Sequence, residues 1–185
     1  AGHEDRALMF CSLSKVTFPG AGVAAMAASR RNIDYILKNM FPMIISFDKL
    51  NQVRHIRFLK DMDGLAAHME KHRALLEPKF RAVLAILDEG LSGCGSIARW
   101  TKPNGGYFLS LYTLGGCAKR TVQLCREAGV VLTDAGAAYP YGVDPQDSNI
   151  RIAPTFPPLD ELETASRLLC VCVRIATLEK LLQRQ

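Results

Sequence analysis

The chain has 185 residues, of which 49% are hydrophobic and 22% are charged. This composition is typical of a folded chain of one domain or little more, and it excludes an intrinsically disordered segment. The net charge of +5 is spread over alternating basic and acidic residues, a pattern that predicts a solvated surface and no nucleic-acid partner.

The sequence shows no targeting or membrane-spanning signal. Nowhere is it apolar over the ~18 consecutive residues that a membrane helix needs, and residues 1–6 are polar. We therefore expect a cytoplasmic protein without a membrane partner. The six cysteines show no C-x-x-C spacing, so we expect reduced thiols packed in the core. They are Cys11, Cys94, Cys117, Cys125, Cys170 and Cys172.

Two short apolar segments open the chain. Residues 7–12 and 23–29 predict buried β-strands, and Gly20 and Gly22 predict a turn between them. Small residues dominate the second segment, which indicates that another part of the protein lies close against it.

Helical spacing follows the second strand. One helix is predicted over residues 32–40, interrupted by Pro42. Asp48 is the predicted N-cap of a second helix that runs through Lys60. Its inward-facing residues are predicted to be Leu50, Val53 and Phe58.

The longest helical pattern covers residues 65–91. Pro78 lies inside it and predicts either a kink or a break, and the glycines of "EGLSGCGS" end it. The pattern then changes to alternating strands and helices, so this is the clearest boundary in the sequence.

The last part of the chain predicts a small α+β domain. Strands are expected in residues 97–103 and 107–113, in "VVLTDA" (130–135) and in "NIRIAP" (149–154). A helix is expected from 117 to 128, closed by Gly129, and Asp160 is the predicted cap of a final helix to about Leu182.

Lys15 stands out because it follows the first strand and lies among hydroxyls and glycines. The motif "SLSK" is followed by "PGAG". An amine can form a Schiff base, while serine hydroxyls and backbone freed by glycine bind phosphate oxygens. Taken alone the motif is weak, and a solvated lysine is the commoner outcome.

The wider context resembles a known family. "FCSLSKVTFPGAGVAAMAAS", "GGYFLSL", "REAGVVLTDAGAAYP" and "NIRIAPTFPPLDELETA" occur in the order found in fold-type I pyridoxal phosphate-dependent aminotransferases. The chain is most similar to the type Ic aspartate aminotransferase branch, which is related to the aminotransferase-like domains of MocR regulators. The resemblance implies an α/β fold and covers only the C-terminal part of such an enzyme.

The resemblance also implies three parts. They are the end of the large cofactor domain with the lysine (1–64), an interdomain helix (65–92) and the small C-terminal α+β domain (93–185).

The resemblance implies a role for six residues. Lys15 would carry pyridoxal 5′-phosphate as a Schiff base. The hydroxyls of Ser12 and Ser14, together with the backbone at Gly20 and Gly22, would bind the cofactor. Arg151 would pair with the substrate α-carboxylate, for which its planar fork is suited.

One position departs from the family pattern. Val23 stands where the family usually has an arginine that contacts the phosphate, so either Arg30 or Arg54 would have to supply that charge, or the glycine backbone would take a larger share. The acid that pairs with the pyridine nitrogen would lie upstream of residue 1. We therefore expect this chain to be part of a larger protein and to be inactive as an isolated 185-residue piece.

The implied reaction is amino transfer between an amino acid and a 2-oxo acid, with aspartate and 2-oxoglutarate favoured and a homodimer expected. Another pyridoxal phosphate enzyme, such as a β-lyase or decarboxylase, stays open, as does the ligand-sensing domain of a MocR-type regulator. His68 and His72 have a zinc-compatible spacing, but a solvated helix face is the expected reading and no metal site is predicted.

Overall fold

The structure is a computed structural model that describes residues 2–183. It divides into two compact units, Ala1–Arg73 and Ala74–Gln185. The division falls inside the segment 65–92 that was expected to be a linking helix. None of the helices in residues 2–183 combines the length and the apolar character needed to cross a membrane.

The first unit begins with a β-hairpin. Strands β1 (Leu8–Ser12) and β2 (Ala24–Ala28) pair antiparallel, with Ser12 opposite Ala24 at the end next to the loop. Both predicted strands are confirmed, but their predicted burial is wrong: Phe10 exposes 73% of its surface. The strands pair only with each other among the described residues, and all of β1 is exposed, while Met26 and Ala28 of β2 are half-buried.

Helix α1 covers Arg30–Ile44 and continues through Pro42, so the predicted interruption is wrong. Ser29 is its N-cap, and the Ser29 hydroxyl accepts a hydrogen bond from the Asn32 backbone N–H. Pro42 lies in the last turn, where the missing N–H removes one hydrogen bond close to the end of the helix.

Helix α2 covers Lys49–Leu59 and begins as predicted. The Asp48 carboxylate accepts a hydrogen bond of 2.9 Å from the Asn51 backbone N–H. The predicted inward face is wrong, because Leu50 is 83% exposed while Asn51 and His55 are buried. The buried face is polar because it contacts hydrogen-bonding groups of the loop between β1 and β2. Val53 and Phe58 are also exposed.

Helix α3 covers Met62–Leu91 as one helix, so Pro78 does not break it. Its C-terminal half belongs to the second unit, where Val83, Leu87 and Leu91 are fully buried or nearly so. These residues recur at intervals of four and form the stripe that packs into the core.

The second unit is built on a three-stranded antiparallel sheet in the order β3-β4-β5. The strands are β3 (Ala98–Trp100), β4 (Leu109–Thr113) and β5 (Asn149–Ile152). Helices α4 (Ala118–Glu127) and α5 (Leu159–Leu182) complete the unit. The core combines side chains of the sheet and of all three helices, among them Leu111, Val122, Ile150, Leu169 and Val173.

Two sequence predictions in this unit are wrong. Residues 130–135 form no strand: they enter no ladder, and part of the segment lines a cavity instead. Helix α5 begins at Leu159 after Pro158, without a side-chain cap, so Asp160 lies in the first turn. In the first turn, its negative charge still interacts favourably with the positive N-terminal end of the helix dipole. Gly129 ends α4 as expected, with φ of +90°.

The six cysteines are all thiols. Four of them are buried in the second unit as expected: Cys117, Cys125, Cys170 and Cys172. Burial raises the pKa of Cys125 to about 12, with Cys172 beside it adding to the effect, and burial raises the pKa of Cys170 to about 11. Cys11 lies exposed on β1 and Cys94 is half-buried, so the prediction of a core position fails for Cys11.

Candidate active site

Lys15 lies in the middle of a single helical turn at the end of β1. The Leu13 carbonyl accepts hydrogen bonds of 3.0 Å from the backbone N–H groups of both Val16 and Thr17. The base of the loop is closed by a 2.8 Å bond from the Leu13 N–H to the Val23 carbonyl. The turn therefore presents the exposed Lys15 side chain from a backbone held at both ends.

Two serine hydroxyls meet beside this turn. The Ser12 hydroxyl donates to Ser14 Oγ at 2.8 Å, and the Ser14 backbone N–H donates to Ser12 Oγ at 3.1 Å. Because Ser14 Oγ accepts in this pair, its own hydrogen is available for an acceptor such as a phosphate oxygen.

Gly22 and Gly20 are required in this loop for different reasons. A Cβ on Gly22 would lie 2.1 Å from Ser14 Oγ and 2.9 Å from Ser14 Cα, so only glycine leaves room for Ser14. Gly20 has open space around it but a φ of +73°, a conformation that disfavours any residue with a side chain. The structure thus shows a loop in which the backbone at Gly22 lies close to the Ser14 hydroxyl.

Polar residues of α2 and α3 contact this loop. The sequence analysis did not find Asn51 and His55, and its expectation that His68 lies on a solvated helix face is wrong. His55 Nε2 lies 2.8 Å from Thr17 Oγ1, and Asn51 Nδ2 donates to the Ala21 carbonyl at 2.7 Å. His68 Nε2 lies 2.7 Å from the Val16 carbonyl. The only sequence signal was an Asn and a His four residues apart on α2, a spacing that puts both on one face.

Aromatic rings continue the contact between the loop and these helices. Phe18 packs against His55 and Phe58 with ring centroids 5.3 and 5.1 Å apart, and Phe58 packs against His68 at 5.0 Å. His72 Nε2 lies 3.2 Å from His68 Nε2. Within residues 2–183, no three His, Cys, Asp or Glu side chains gather into a possible metal site.

The two arginines considered as substitutes at Val23 differ in position. The Arg54 guanidinium carbon lies 5.6 Å from the centroid of the Phe18 ring, against the loop. Arg30 instead binds the Asp34 carboxylate on its own helix, with Nε–oxygen distances of 2.9 and 3.0 Å.

Arg151 lies on β5 of the second unit, opposite Ser110 of β4. Its neighbours Ile150 and Ile152 are buried in the core, so the alternation of the strand turns Arg151 the other way, as predicted. The guanidinium carbon lies 4.8 Å from the centroid of the Phe108 ring. Arg151 Nε is buried and has no hydrogen-bond partner among the described residues.

A cavity of about 680 Å³ opens beside Arg151. The segment 129–133, Phe156 and the first turn of α5, with Asp160 and Glu161, contribute to its lining. The cavity gives the arginine a space that a small molecule can enter.

The loop before β5 is organised by one carboxylate. Asp144 accepts hydrogen bonds from the backbone N–H groups of Gln146, Ser148 and Asn149 at 2.9, 2.7 and 2.8 Å. Desolvation works to raise the pKa of Asp144, but these bonds and a further one from the Ser148 hydroxyl outweigh it, so the pKa lies below its ordinary value.

The loop after β5 is held by a lysine. Lys79 Nζ, on α3, donates to the Thr155 carbonyl at 2.8 Å and to the Pro157 carbonyl at 2.6 Å. The strand that carries Arg151 is therefore fixed on both sides by charge-assisted hydrogen bonds.

The six predicted site residues fall into two groups. Ser12, Ser14, Lys15, Gly20 and Gly22 come together in one loop of the first unit. Arg151 belongs to the second unit. The first group combines an amine, two hydroxyls and closely approached backbone, which are the groups that hold a phosphorylated aldehyde.

The loop that carries Lys15 and the strand that carries Arg151 fit the class that the sequence resembles, the pyridoxal phosphate-dependent transferases of fold type I. Comparison with known proteins supports this class and identifies the family within it. The chain belongs to the aspartate aminotransferase family, whose family model, described as "Aspartate amino-transferase", matches residues 1–185.

Curated relatives match almost the whole chain. A candidate aminotransferase of Mycolicibacterium smegmatis is 50% identical over 182 residues, which are 98% of this chain and 42% of the relative. The aspartate aminotransferase of Corynebacterium glutamicum is 43% identical over 179 residues, 97% of this chain and 41% of the relative. The chain thus spans about two fifths of the length of the curated relatives it matches.

Solved structures confirm the fold. A crystal structure of an aspartate transaminase from Corynebacterium glutamicum has a TM-score of 0.86 and 43% identity, covering 92% of this chain and 40% of that one. The α-aminoadipate aminotransferase LysN of Thermus thermophilus has a TM-score of 0.73 at 22% identity, covering 92% of this chain and 42% of that one, and shows the fold alone. The expected resemblance to part of a fold-type I aminotransferase is therefore confirmed.

Proposed function

We propose that the intact protein transfers an amino group between an amino acid and a 2-oxo acid with pyridoxal 5′-phosphate held on Lys15. The observation that carries the proposal is the loop in which Gly22 leaves room for Ser14 beside the turn that presents Lys15. Membership of the aspartate aminotransferase family supports it. When bound, the cofactor supplies an electron sink for negative charge at the amino-acid Cα.

The residues of the loop fit this cofactor. The Ser12 hydroxyl donates to Ser14 Oγ, and this contact orients the Ser14 hydroxyl. A phosphate group can then accept a hydrogen bond from Ser14. Gly22 keeps the backbone close to this pair. Arg54, which lies against Phe18 of the same loop, is a candidate source of positive charge in place of Val23.

Lys15 has two tasks in this proposal. Its Nζ would hold the cofactor covalently, and its amine, when not bound in this way, would move a proton at the substrate Cα. The helical turn closed at Leu13 limits the positions that Lys15 can sample, which favours proton transfer over a short distance.

Arg151 binds and orients the substrate. A guanidinium presents parallel N–H groups that match a carboxylate, and its buried Nε lacks a partner among the described residues, so an α-carboxylate would supply the missing acceptor. Phe108 packs on the guanidinium and restricts its rotation.

The choice of substrates is a finer proposal. We favour aspartate and 2-oxoglutarate, supported by the name of the Corynebacterium glutamicum aspartate aminotransferase at 43% identity. We also propose a homodimer, and the division into the end of a large domain (1–64), a linking helix (65–92) and a small domain (93–185).

The test is the near-ultraviolet and visible absorbance of the intact protein loaded with pyridoxal phosphate, before and after aspartate is added. A cofactor band that shifts to the pyridoxamine form on adding aspartate, and that is absent in Lys15→Ala, is expected. Borohydride reduction followed by peptide mapping then identifies the modified lysine. Trapping of the cofactor on a different lysine would refute the assignment of Lys15.

A further inference from the structure

His55 is a buried histidine whose two ring nitrogens both contact polar groups. It exposes only 4% of its surface. Its Nδ1 lies 2.8 Å from the Asn51 carbonyl, one turn earlier on α2. A carbonyl oxygen can only accept, so Nδ1 carries the hydrogen of this bond, and Nε2 faces Thr17 Oγ1 at 2.8 Å.

Thr17 is the residue that closes the turn around Lys15. Its backbone N–H donates to the Leu13 carbonyl at 3.0 Å, and its hydroxyl lies 3.0 Å from that same oxygen. With the ring hydrogen on Nδ1, Nε2 accepts, so the single hydroxyl hydrogen of Thr17 is donated to His55, while the Thr17 backbone N–H holds the Leu13 carbonyl. Thr17 thus joins the turn to α2 through its backbone on one side and its hydroxyl on the other. A displacement of Thr17 would open the turn that contains Lys15.

The His55 ring cannot readily turn away from this contact. Phe18 packs edge-on against it with centroids 5.3 Å apart and an interplanar angle of 79°. The neighbouring Asn51 side chain donates to the Ala21 carbonyl, so α2 binds the loop at two points, Thr17 and Ala21.

We propose that His55 is a positioning residue for Lys15: through Thr17 it fixes the helical turn from which the lysine amine reaches the cofactor. The inference rests on the proposed role of Lys15 but concerns a separate property, the order of residues 13–17. An apolar side chain of similar size would fill the same volume and leave Thr17 without its partner on α2, so packing and positioning can be separated by substitution.

The experiment uses the intact protein with the cofactor removed and measures amide hydrogen exchange at Val16 and Thr17. His55→Leu keeps an apolar body and removes the hydrogen bond, and we expect exchange at these amides to be about fivefold to tenfold faster, the effect of one lost hydrogen bond. His55→Gln places an amide near the former Nε2 position and is expected to restore exchange to within about twofold of wild type.

His3→Leu is the matched control. His3 is an exposed histidine of the first unit, and among the described residues its ring makes no hydrogen bond to residues 13–17, so exchange at Val16 and Thr17 should change less than about twofold. Should His55→Leu fail to fold, Thr17→Val removes the same hydrogen bond from the loop side and must reproduce the faster exchange.

A second readout separates this inference from the proposed function. The rate at which borohydride-trappable cofactor forms on Lys15 should fall in His55→Leu and recover in His55→Gln. Exchange that stays at the wild-type rate in folded His55→Leu and in Thr17→Val would overturn the positioning role, whatever Lys15 does. If wild type traps no cofactor on Lys15, the proposed function fails, while the exchange data still decide whether His55 orders the turn.

Discussion

Substitution of Gly22 by alanine tests the geometry of the lysine loop most directly. The added Cβ would lie 2.1 Å from Ser14 Oγ and 2.9 Å from Ser14 Cα. Ordinary contact begins at 3.4 Å, so Oγ would have to retreat by about 1.3 Å and Cα by about 0.5 Å. A new Ser14 rotamer relieves only the first clash, because the second involves the backbone.

The cost follows from overpacking. Forcing a methyl group into a filled site typically costs about 1–3 kcal/mol, which corresponds to roughly a 5- to 150-fold change in an equilibrium constant. Because Ser14 is the displaced residue, we expect the loss to appear in the dissociation constant of pyridoxal phosphate, measured by titrating the apoprotein and following absorbance.

Gly20→Ala is the matched control in the same loop. No atom lies within 4 Å of its added Cβ, but φ of +73° costs roughly 1–2 kcal/mol in a residue with a side chain. This variant should lower the melting temperature and change the cofactor affinity less than Gly22→Ala does. Wild-type cofactor affinity in Gly22→Ala would show that the loop does not bind the cofactor through Ser14.

Three further substitutions concern the second unit. Arg151→Lys keeps the charge but loses the planar fork, so KM for the amino acid should rise by about 10- to 100-fold in steady-state assays. The control variant Arg99→Lys on β3 should leave KM unchanged. An unaltered KM in Arg151→Lys would exclude carboxylate binding by Arg151. Asp144 has a lowered pKa in the folded state, so it adds stability at neutral pH that is lost as the pH falls through that pKa, below about pH 4. Denaturant midpoints measured against pH should therefore fall less steeply in acid for Asp144→Asn than for wild type, and parallel curves would contradict this. Lys79→Met removes the hydrogen bonds to the carbonyls after β5 and should destabilise the second unit by about 1.5–3 kcal/mol in thermal unfolding. The control variant Lys119→Met, on the exposed side of α4, should change the stability little. Equal melting temperatures for both variants would show that Lys79 does not hold the loop after β5.

Most helices and strands were predicted from short sequence patterns. The predictions that failed depended on contacts between residues distant in the sequence. Asp48 caps α2 as expected because an N-cap depends only on residues three positions apart. The inward face of α2 was assigned wrongly because Leu50 and Val53 follow the apolar pattern, while the surface that α2 contacts consists of loop carbonyls and a hydroxyl. Residues 130–135 have strand propensity, but within residues 2–183 no strand pairs with them.

The candidate site was predictable to the extent that it resembles a family. The motif around Lys15 identified the residues of the loop, and the structure supplies the physical reason for Gly22. His55 could not be found this way, because its contact with Thr17 joins residues 38 positions apart and leaves no periodic trace in the sequence. Such contacts depend on how the helices pack, and a single sequence does not reveal that packing.

The distribution of the thiols makes the lysine loop accessible to selective labelling. Cys11 is exposed and directly precedes Ser12, while the four buried thiols include Cys125 and Cys170, whose raised pKa values leave almost no reactive thiolate at neutral pH. A maleimide fluorophore should therefore attach first at Cys11, with half-buried Cys94 reacting later. Cys11 thus provides an attachment point for a dye whose emission would report events in the loop, without prior removal of the other five cysteines in these 185 residues.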